Sequence, residues 1–293
     1  MLGPTGVGKT DLCINLAKFF KTEIISCDSR QFYREMNLGT AKPTPEELES
    51  VPHHFINTLS IEEDYDVRKF EKEALALIDK LFENHDVLIM TGGSGLFADV
   101  VVDGLDEMPE IDPQIRKKII KEFEEKGLQF LQTEVSQLDP VYFGLVDSQN
   151  PQRLMRALEV CRGTGKPYSS FRIKEKKVRN FTVVKIGLER DRPELYERID
   201  RRMDQMIAGG LFDEADALFG KRHLNALQTV GYSEIFGYLE GKYDKEEAIR
   251  LLKRNSRRYA KRQLTWFKRD ESILWFHPDQ DREILEFLKD QIG

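Results

Sequence analysis

The first ten residues, MLGPTGVGKT, contain the spacing G-x-x-x-x-G-K-T from Gly3 to Thr10. Glycines allow such a loop to curl until several backbone N–H groups point at one anion, and the following helix adds its positive N-terminal end. The final lysine and threonine supply a point charge for phosphate and a hydroxyl ligand for Mg²⁺. The spacing predicts a phosphate-binding loop made of Gly3, Pro4, Thr5, Gly6, Val7, Gly8, Lys9 and Thr10. It does not identify the molecule that carries the phosphate.

Strands and helices alternate after this loop. The pattern predicts a helix over 10–20, with Leu12, Leu16 and Phe19 on one apolar face, and a strand in TEIISCDS at 22–29. It also predicts a helix capped by Asp66, whose apolar stripe is Phe70, Ala74, Ile78 and Leu81, and a buried strand in DVLIMTGGSG at 86–95. Alternation of this kind is typical of doubly wound α/β folds with a parallel sheet, whose ligands bind at the carboxyl ends of the strands. We therefore predict a P-loop NTPase-like core. Since only Met1 and Leu2 precede the loop, either the first strand is very short or the natural protein starts several residues earlier.

The pattern changes after Pro109, because from about Asp112 to Phe171 it predicts only helices. We expect a helical insertion domain at 112–171 within a discontinuous core domain at 1–111 and 172–293, which ends in RNA-binding helices. FTVVKIGLE resumes the sheet, and PELYERIDRRMDQMIAGGLFDEADALF predicts a long helix broken at Gly209–Gly210.

The bulk composition excludes a membrane-spanning protein and a uniformly basic one. No apolar run approaches the ~20 residues that cross a bilayer, and the net charge is −6. The three cysteines, Cys13, Cys27 and Cys161, lack metal-ligand spacing and suit a reducing compartment, so we expect a cytoplasmic protein. We also expect the protein to act as a monomer. The pair His53–His54 has no evident third ligand, so it is interpreted as loop structure and not as a metal site.

Asp28 is the carboxylate expected nearest to the phosphate loop. Nucleotide-hydrolysing proteins usually end a neighbouring strand in an aspartate that holds Mg²⁺ and its water. Here that strand, 87–91, runs into Gly92–Gly93 instead. Asp28 ends the other strand, where a carboxylate could order metal-bound water or accept a proton from a nucleophile. A helix cap or loop ligand is the structural alternative.

A basic run, RLLKRNSRRYAKRQLTWFKR at 250–269, contains nine basic residues and no acidic one. On a helix, one broad face would carry Arg254, Arg258, Lys261, Arg262 and Arg269, and the opposite buried stripe would carry Leu252, Tyr259 and Trp266. Basic residues interleaved with aromatic ones suit a phosphodiester backbone and unstacked bases. A solvated surface helix is the alternative. The absence of acids in an otherwise acidic protein favours RNA binding.

Seven segments together resemble the tRNA dimethylallyltransferases, in family order and over nearly the whole chain: GPTGVGKT, DSRQFY with GTAKP, HHF, GGSGLF, NPQRLMRALE, QTVGYSE and RRYAKRQLTWF. Ser94 and Phe97 stand where the family more often has threonine and tyrosine. The resemblance implies transfer of a dimethylallyl group from dimethylallyl diphosphate to the N6 amine of the adenosine on the 3′ side of the anticodon in tRNA. The phosphate would then be a leaving group.

The same resemblance implies the roles of individual residues. Asp28 would be the base, Lys9 and Arg202 would stabilise the diphosphate, and Thr10 would bind Mg²⁺, with Asp28 acting on the metal through water. The tRNA anticodon stem-loop would contact Asp28, Ser29, Arg30, Gln31, Ser94, Arg116, Gln152, Arg153, Leu154, Met155, Arg156, Arg258, Lys261 and Arg262. QTVGYSE is interpreted as a packed turn near the site.

Three other functions agree with part of the sequence. A kinase of a small molecule or nucleotide would use the phosphate loop but leaves the basic run unexplained. An isopentenyltransferase acting on free adenine nucleotide would not need that run. A non-enzymatic RNA-binding protein with a nucleotide switch would not need Asp28 beside an intact loop.

Overall fold

A computed structural model describes residues 1–173 and 175–292. The chain divides into two compact units, one formed by Met1–Val102 with Arg179–Gly293 and one by Asp103–Val178. The helical segment predicted at 112–171 falls within the second unit, which extends further on both sides. In the described residues the helices are α1 Lys9–Phe20, α2 Pro45–Ser50, α3 Val67–Leu81, α4 Gly95–Val102, α5 Pro113–Leu138, α6 Pro140–Phe143, α7 Pro151–Thr164, α8 Arg192–Ala208, α9 Leu211–Leu218, α10 Ser233–Leu239, α11 Lys245–Phe267 and α12 Asp281–Ile292.

The first unit is built on parallel strands. They are β1 Ile24–Ser26, β2 His53–His54, β3 Ile89–Thr91, β4 Ile186–Leu188 and β5 Leu274–Phe276, in the orders β2-β1-β3 and β4-β5. Leu2 forms parallel bridges to both Gly92 and Gly187, and so joins the two groups of strands. The strand before the phosphate loop is therefore a single bridging residue. Mixed α/β structure with a parallel sheet is confirmed.

Local sequence signals, such as caps, apolar stripes and glycine pairs, predicted most of the helices and strands correctly. Asp66 caps α3 by accepting from the N–H groups of Arg68 and Lys69. The residues of α3 that are buried are the predicted stripe, Phe70, Ala74, Ile78 and Leu81. The break between α8 and α9 is also confirmed, since Gly210 has φ 100°, a conformation that favours glycine.

Three local expectations are wrong. Phe19, expected on the buried face of α1, is 49% exposed, and Cys13 and Ala17 are buried instead. His53–His54 is not a loop but the edge strand β2, because it pairs with Ile24 and Ile25. β3 is only half-buried along its length. Pairing with a segment distant in sequence decides the second of these features.

In its described residues, the second unit contains helices joined by loops and no strand. α5 and α7 pack around a core that includes Ile119, Leu131, Val135 and Leu158. α5 is interrupted at Gly127, whose φ of 73° and ψ of −171° are not helical. Asn150 caps α7 by accepting from the N–H of Arg153, and Pro151 follows at the first helical position.

Candidate active site

A cavity of about 610 Å³ in the first unit brings the predicted catalytic residues together. Its lining includes Thr5, Gly6, Gly8, Lys9 and Thr10 of the loop, Asp28 and Gln31 after β1, Gly92 and Gly93 after β3, and Arg198, Arg201 and Arg202 of α8. The carboxyl ends of parallel strands meet at one edge, as a doubly wound sheet requires. Gly3, Pro4 and Val7 are buried behind this lining.

The phosphate loop is shaped by its glycines. Gly3, Gly6 and Gly8 have φ values of 148°, 83° and 110°, which side chains rarely allow. Lys9 folds back so that its Nζ donates to the carbonyls of Gly3 and Pro4, at 2.9 Å each. Burial lowers the pKa of Lys9 to about 8, while the charge of Asp28 opposes that shift and the charge of Arg202 adds to it.

Three arginines donate hydrogen bonds to the phosphate loop. Arg190 Nε donates to the Val7 carbonyl at 2.9 Å, Arg198 Nε donates to the Gly6 carbonyl at 3.0 Å, and Arg202 donates to the Thr5 hydroxyl. Burial lowers the pKa of Arg202, and the charge of Asp28 opposes that shift. Sequence reasoning identified only Arg202. The other two arginines lie in ERDRPELYERIDRR, where charges of both signs obscure them.

Asp28 lies in the turn after β1. One carboxylate oxygen accepts from the backbone N–H of Arg30 at 3.0 Å. Burial raises the pKa of Asp28, while the backbone N–H groups of Arg30 and Gln31 and the charge of Lys9 oppose that shift. A raised pKa makes the ionised carboxylate a stronger proton acceptor. The arrangement therefore places a carboxylate that could accept a proton in the same cavity as the predicted phosphate loop.

A chain of hydroxyl groups connects the Asp28 turn to α11. The backbone N–H of Ser29 donates to Ser94 Oγ at 3.1 Å, and the two serine oxygens are 3.0 Å apart. Tyr259 of α11 lies near the same Ser94, which acts on the pKa of its hydroxyl. Burial and the nearby charge of Asp28 raise the pKa of Tyr259 to about 12. Tyr259, expected in an apolar stripe, is a polar contact of the site.

Gln263 is a site residue that the sequence interpretation missed. It is 6% exposed, and its Oε1 accepts from the Thr5 backbone N–H at 2.9 Å, while its Nε2 donates to the Gly93 carbonyl at 2.8 Å. A Cβ on Gly93 would lie 2.2 Å from Gln263 Nε2, so this contact requires glycine. The Thr5 amide, expected among those that bind phosphate, is thus committed to Gln263. The motif RQLTWF contains Gln263 and is the sequence feature that could have identified this residue.

We predict that Gln263→Leu weakens binding of inorganic diphosphate about tenfold. The change leaves the Thr5 N–H and the Gly93 carbonyl without their partner, at about 1–3 kcal/mol for each buried group. Calorimetric titration measures the affinity, and thermal unfolding measures the stability. Thr265→Val, at an exposed position on the same helix, is the control. Unchanged diphosphate affinity in Gln263→Leu would contradict the assignment.

The nine basic residues of the run 250–269 divide into two sets. Arg250, Lys253, Arg257 and Lys268 form ion pairs with Glu247, Asp204, Asp200 and Glu189. Within residues 1–173 and 175–292, no ion pair involves the five residues of the predicted face. Of these five, Arg258, Lys261, Arg262 and Arg269 are exposed and Arg254 is half-buried. Their charge is available to a partner.

The predicted RNA residues of the second unit cluster around Glu159. Its Oε2 accepts from Arg116 Nη1 at 3.0 Å and from Arg156 Nη1 at 3.1 Å. Gln152 and Arg153 are exposed. Leu154 and Met155, also expected to contact RNA, are 0% and 4% exposed in the core of this unit, so their side chains are corrected to packing residues. Their spacing on α7 places them on its apolar face.

Thr10 and Asp28 both line the cavity and offer oxygen atoms. Mg²⁺ commonly takes one or two protein oxygens, several waters and the phosphates of its substrate, so this donor set fits that ion. In the described residues there is no group of three or more His, Cys, Asp or Glu side chains that could hold a metal without a substrate. Within the same residues, none of the helices has the length and apolar character that crossing a membrane requires.

A phosphate-loop sequence at the edge of a parallel α/β sheet is the arrangement typical of proteins that bind a phosphorylated ligand. The sequence model of the IPP transferase family matches residues 31–270. The tRNA dimethylallyltransferase 1 of Bacteroides fragilis is 49% identical over 292 residues, which cover 100% of this chain and 97% of that protein. The Cytophaga hutchinsonii tRNA dimethylallyltransferase is 51% identical over 289 residues, covering 99% and 95%. The chain belongs to the IPP transferase family.

Solved structures agree with this assignment. The full-length tRNA isopentenylpyrophosphate transferase of Bacillus halodurans has a TM-score of 0.72 and 38% identity, covering 99% of this chain and 95% of that one. A eukaryotic dimethylallyltransferase acting on tRNA has a TM-score of 0.75 and 25% identity, covering 99% and 78%. The family match begins after residues 3–10, whereas the alignment with the Bacteroides fragilis relative covers 100% of this chain.

Proposed function

We propose that this protein transfers a dimethylallyl group from dimethylallyl diphosphate to the exocyclic N6 amine of the adenosine on the 3′ side of the anticodon in tRNA, and releases diphosphate. One observation carries the proposal: a phosphate loop and a half-buried carboxylate, Asp28, line one cavity, whereas Gly92–Gly93 follows the strand where a hydrolase would place its metal-binding acid. The relatives named tRNA dimethylallyltransferase support it along the whole chain.

The residues of the cavity match the needs of this reaction. An adenine amine is a weak nucleophile because its lone pair is delocalised into the ring. Asp28 accepts its proton, while the amine nitrogen forms a bond to the allylic carbon and the carbon–oxygen bond to diphosphate breaks. Lys9, Arg202 and the N–H groups at the start of α1 stabilise the charge that develops on the diphosphate. Diphosphate is therefore the leaving group of the reaction.

The core is that of a P-loop NTPase-like, doubly wound protein, and the segment 112–171 is its helical insertion. The parallel strands, the loop ahead of α1 and the Leu2 bridge support this classification. Thr10 would hold Mg²⁺, with Asp28 acting through water, and a bound ion would supply positive charge to the leaving diphosphate.

The RNA partner is the anticodon stem-loop of tRNA. The five basic residues of the 250–269 run that form no ion pair with the described part of the chain support this, as do the exposed Gln152 and Arg153 of the second unit. An anticodon loop also presents unstacked bases, so extrusion of the target adenine costs less than it would from a duplex. A kinase or an enzyme of free adenine nucleotide would not need this basic face.

We predict that Arg258→Ala with Arg262→Ala weakens tRNA binding without changing donor affinity. Each lost phosphate contact should flatten the slope of log affinity against log salt by about 0.7–0.9. Filter binding at several salt concentrations measures the slope. Arg250→Ala with Lys253→Ala is the matched control, because it removes the same charge from the same helix at residues already paired with Glu247 and Asp204. Equal slopes in both variants would show that the face does not meet RNA.

The function itself is tested by incubating the protein with tRNA and dimethylallyl diphosphate that carries ¹⁸O at the bridging position. Mass analysis of the nucleosides should show prenylated adenosine, formed in step with diphosphate that retains the label, because the carbon–oxygen bond breaks. ATP-dependent phosphorylation of an acceptor without prenylated tRNA would falsify the transferase assignment.

A further inference from the structure

One wall of the cavity is the loop of residues 37–43, here called the wall loop. Asn37, Leu38, Thr40, Ala41, Lys42 and Pro43 line the cavity. Glu214 of α9 does not line it, yet it makes the hydrogen bonds that fix this loop from behind.

The Glu214 carboxylate accepts from three consecutive backbone N–H groups. Its Oε2 accepts from Asn37 at 3.1 Å and from Leu38 at 2.9 Å, and its Oε1 accepts from Gly39 at 3.1 Å. Hydrogen bonds to an ionised acceptor are about twice as strong as neutral ones. A carboxylate can accept all three, whereas a carboxamide nitrogen in the same place would oppose at least one N–H.

Tyr232 also hydrogen-bonds to Glu214, and it lies where the motifs GTAKP and QTVGYSE pack against each other. Its hydroxyl donates to Glu214 Oε1 at 2.5 Å, and its ring is 0% exposed. A Cβ on Gly39 would lie 2.5 Å from that ring, and a Cβ on Gly231 would lie 3.2 Å from the Gly39 carbonyl. The glycines of GTAKP and QTVGYSE are therefore the close contact between these segments. QTVGYSE is a packed turn, as predicted.

On its inner side the wall loop holds Gln31. The carboxamide Nε2 of Gln31 donates to the Thr40 carbonyl at 3.3 Å and to the Ala41 carbonyl at 3.1 Å. The backbone N–H of Gln31 donates to the Asp28 carbonyl at 3.2 Å. Lys42 closes the far end, where its Nζ donates to the Tyr33 carbonyl at 2.5 Å and to Asn57 Oδ1 at 2.6 Å. The loop thus joins Glu214 to the Asp28 turn.

We propose that Glu214, supported by Tyr232, is a positioning residue for the acceptor side of the active site. It holds the wall loop, and through Thr40 and Ala41 it holds Gln31 in place beside Asp28. The inference rests on the proposed prenyl transfer to an adenine amine. A misplacement of about 1 Å in an active site can cost on the order of 10²-fold in rate. Displacement of the wall loop should therefore slow the chemical step and leave the phosphate loop intact.

The test compares Glu214→Gln and Tyr232→Phe with Asp216→Asn, which makes the same change of charge at an exposed position of α9. We expect Glu214→Gln to lower kcat by about 10–100-fold and to change KM for dimethylallyl diphosphate by less than about threefold. Tyr232→Phe should lower kcat about 3–10-fold, and the double variant should lose less than the product of both, because both act on one loop. Asp216→Asn should behave as wild type.

Hydrogen exchange supplies a readout that does not depend on activity. The amides of Asn37, Leu38 and Gly39 should exchange at least about tenfold faster in Glu214→Gln, while amides of the phosphate loop keep their protection. The proposal is overturned if kcat stays within about threefold of wild type, or if it falls only as far as the unfolded fraction explains. If Glu214→Gln does not fold, Tyr232→Phe decides by the same criteria. Failure of the proposed function would appear differently, as wild-type protein that forms no prenylated tRNA.

Discussion

Asp28→Asn should lower the single-turnover rate of prenyl transfer by roughly 10²–10⁴, the usual contribution of a general base. Asparagine can still accept the backbone N–H of Arg30, which now bonds to the carboxylate at 3.0 Å, but it cannot take a proton from the adenine amine. The rate is measured by quenched-flow with enzyme in excess over tRNA, which separates the chemical step from product release. The affinity for tRNA should change little.

Measurements of stability distinguish a role of Asp28 as a general base from a purely structural role. Burial raises the pKa of Asp28, so the folded protein binds a proton there more readily than the unfolded chain does. The ionised carboxylate therefore destabilises the fold at neutral pH, and this cost declines as the pH falls from the folded pKa to the lower, unfolded pKa. Asp28→Asn should unfold no earlier than wild type at pH 7. Asp11→Asn, at an exposed position on the rim of the same cavity, is the control for charge. A wild-type rate in Asp28→Asn would make Asp28 a turn residue only.

The sequence predicted those parts of the site whose signals are local. The phosphate loop is a contiguous spacing, Asp28 follows a short apolar strand directly, and the cap and apolar stripe of α3 obey helix periodicity. Each of these features is decided by residues a few positions apart. The same holds for the break at Gly209–Gly210, where glycine tolerates a backbone conformation that other residues rarely adopt.

Contacts between distant segments explain what the sequence did not predict. Gln263 meets Thr5 across 258 residues, and Glu214 meets Leu38 across 176. A glutamine or glutamate on an amphipathic helix gives no sign of such a partner. Leu2 likewise shows its place in the sheet only through its bridges to Gly92 and Gly187.

The face of α11 illustrates how packing changes an interpretation based on residue type. The predicted buried stripe placed two aromatic residues, Tyr259 and Trp266, beside Leu252, but both are half-buried and use their polar atoms. Trp266 Nε1 donates to Asp99 at 2.9 Å, and a Cβ on Gly95 would lie 2.1 Å from the indole. The residues of α11 that are buried are Ala248, Leu252, Ser256, Ala260, Gln263 and Phe267, several of them small or polar. The glycine turn after β3 packs closely against α11, and this close packing favours small and polar residues on the buried face of the helix.

Lys9→Met should lower the rate of prenyl transfer by about 10²–10³, as removal of one donor to a developing negative charge commonly does. The lysine is held by the Gly3 and Pro4 carbonyls, and burial lowers its pKa to about 8. An anion binds the protonated form more tightly, so donor affinity should fall as the pH rises through 8. The donor's own phosphate groups ionise near pH 6, so they do not produce this change.

Two variants separate the charge of Lys9 from its bulk. Lys9→Arg keeps a cation that stays protonated, so its donor affinity should not fall between pH 7 and 9, whatever its absolute value. Lys18→Met removes a lysine from an exposed position of the same helix and should leave both the rate and the pH profile unchanged. Titration of the protein with dimethylallyl diphosphate in the absence of tRNA measures the affinity without turnover. If wild type and Lys9→Arg show the same decline with pH, the proton that is lost does not belong to Lys9, and the charge on the phosphate loop must be assigned to another group.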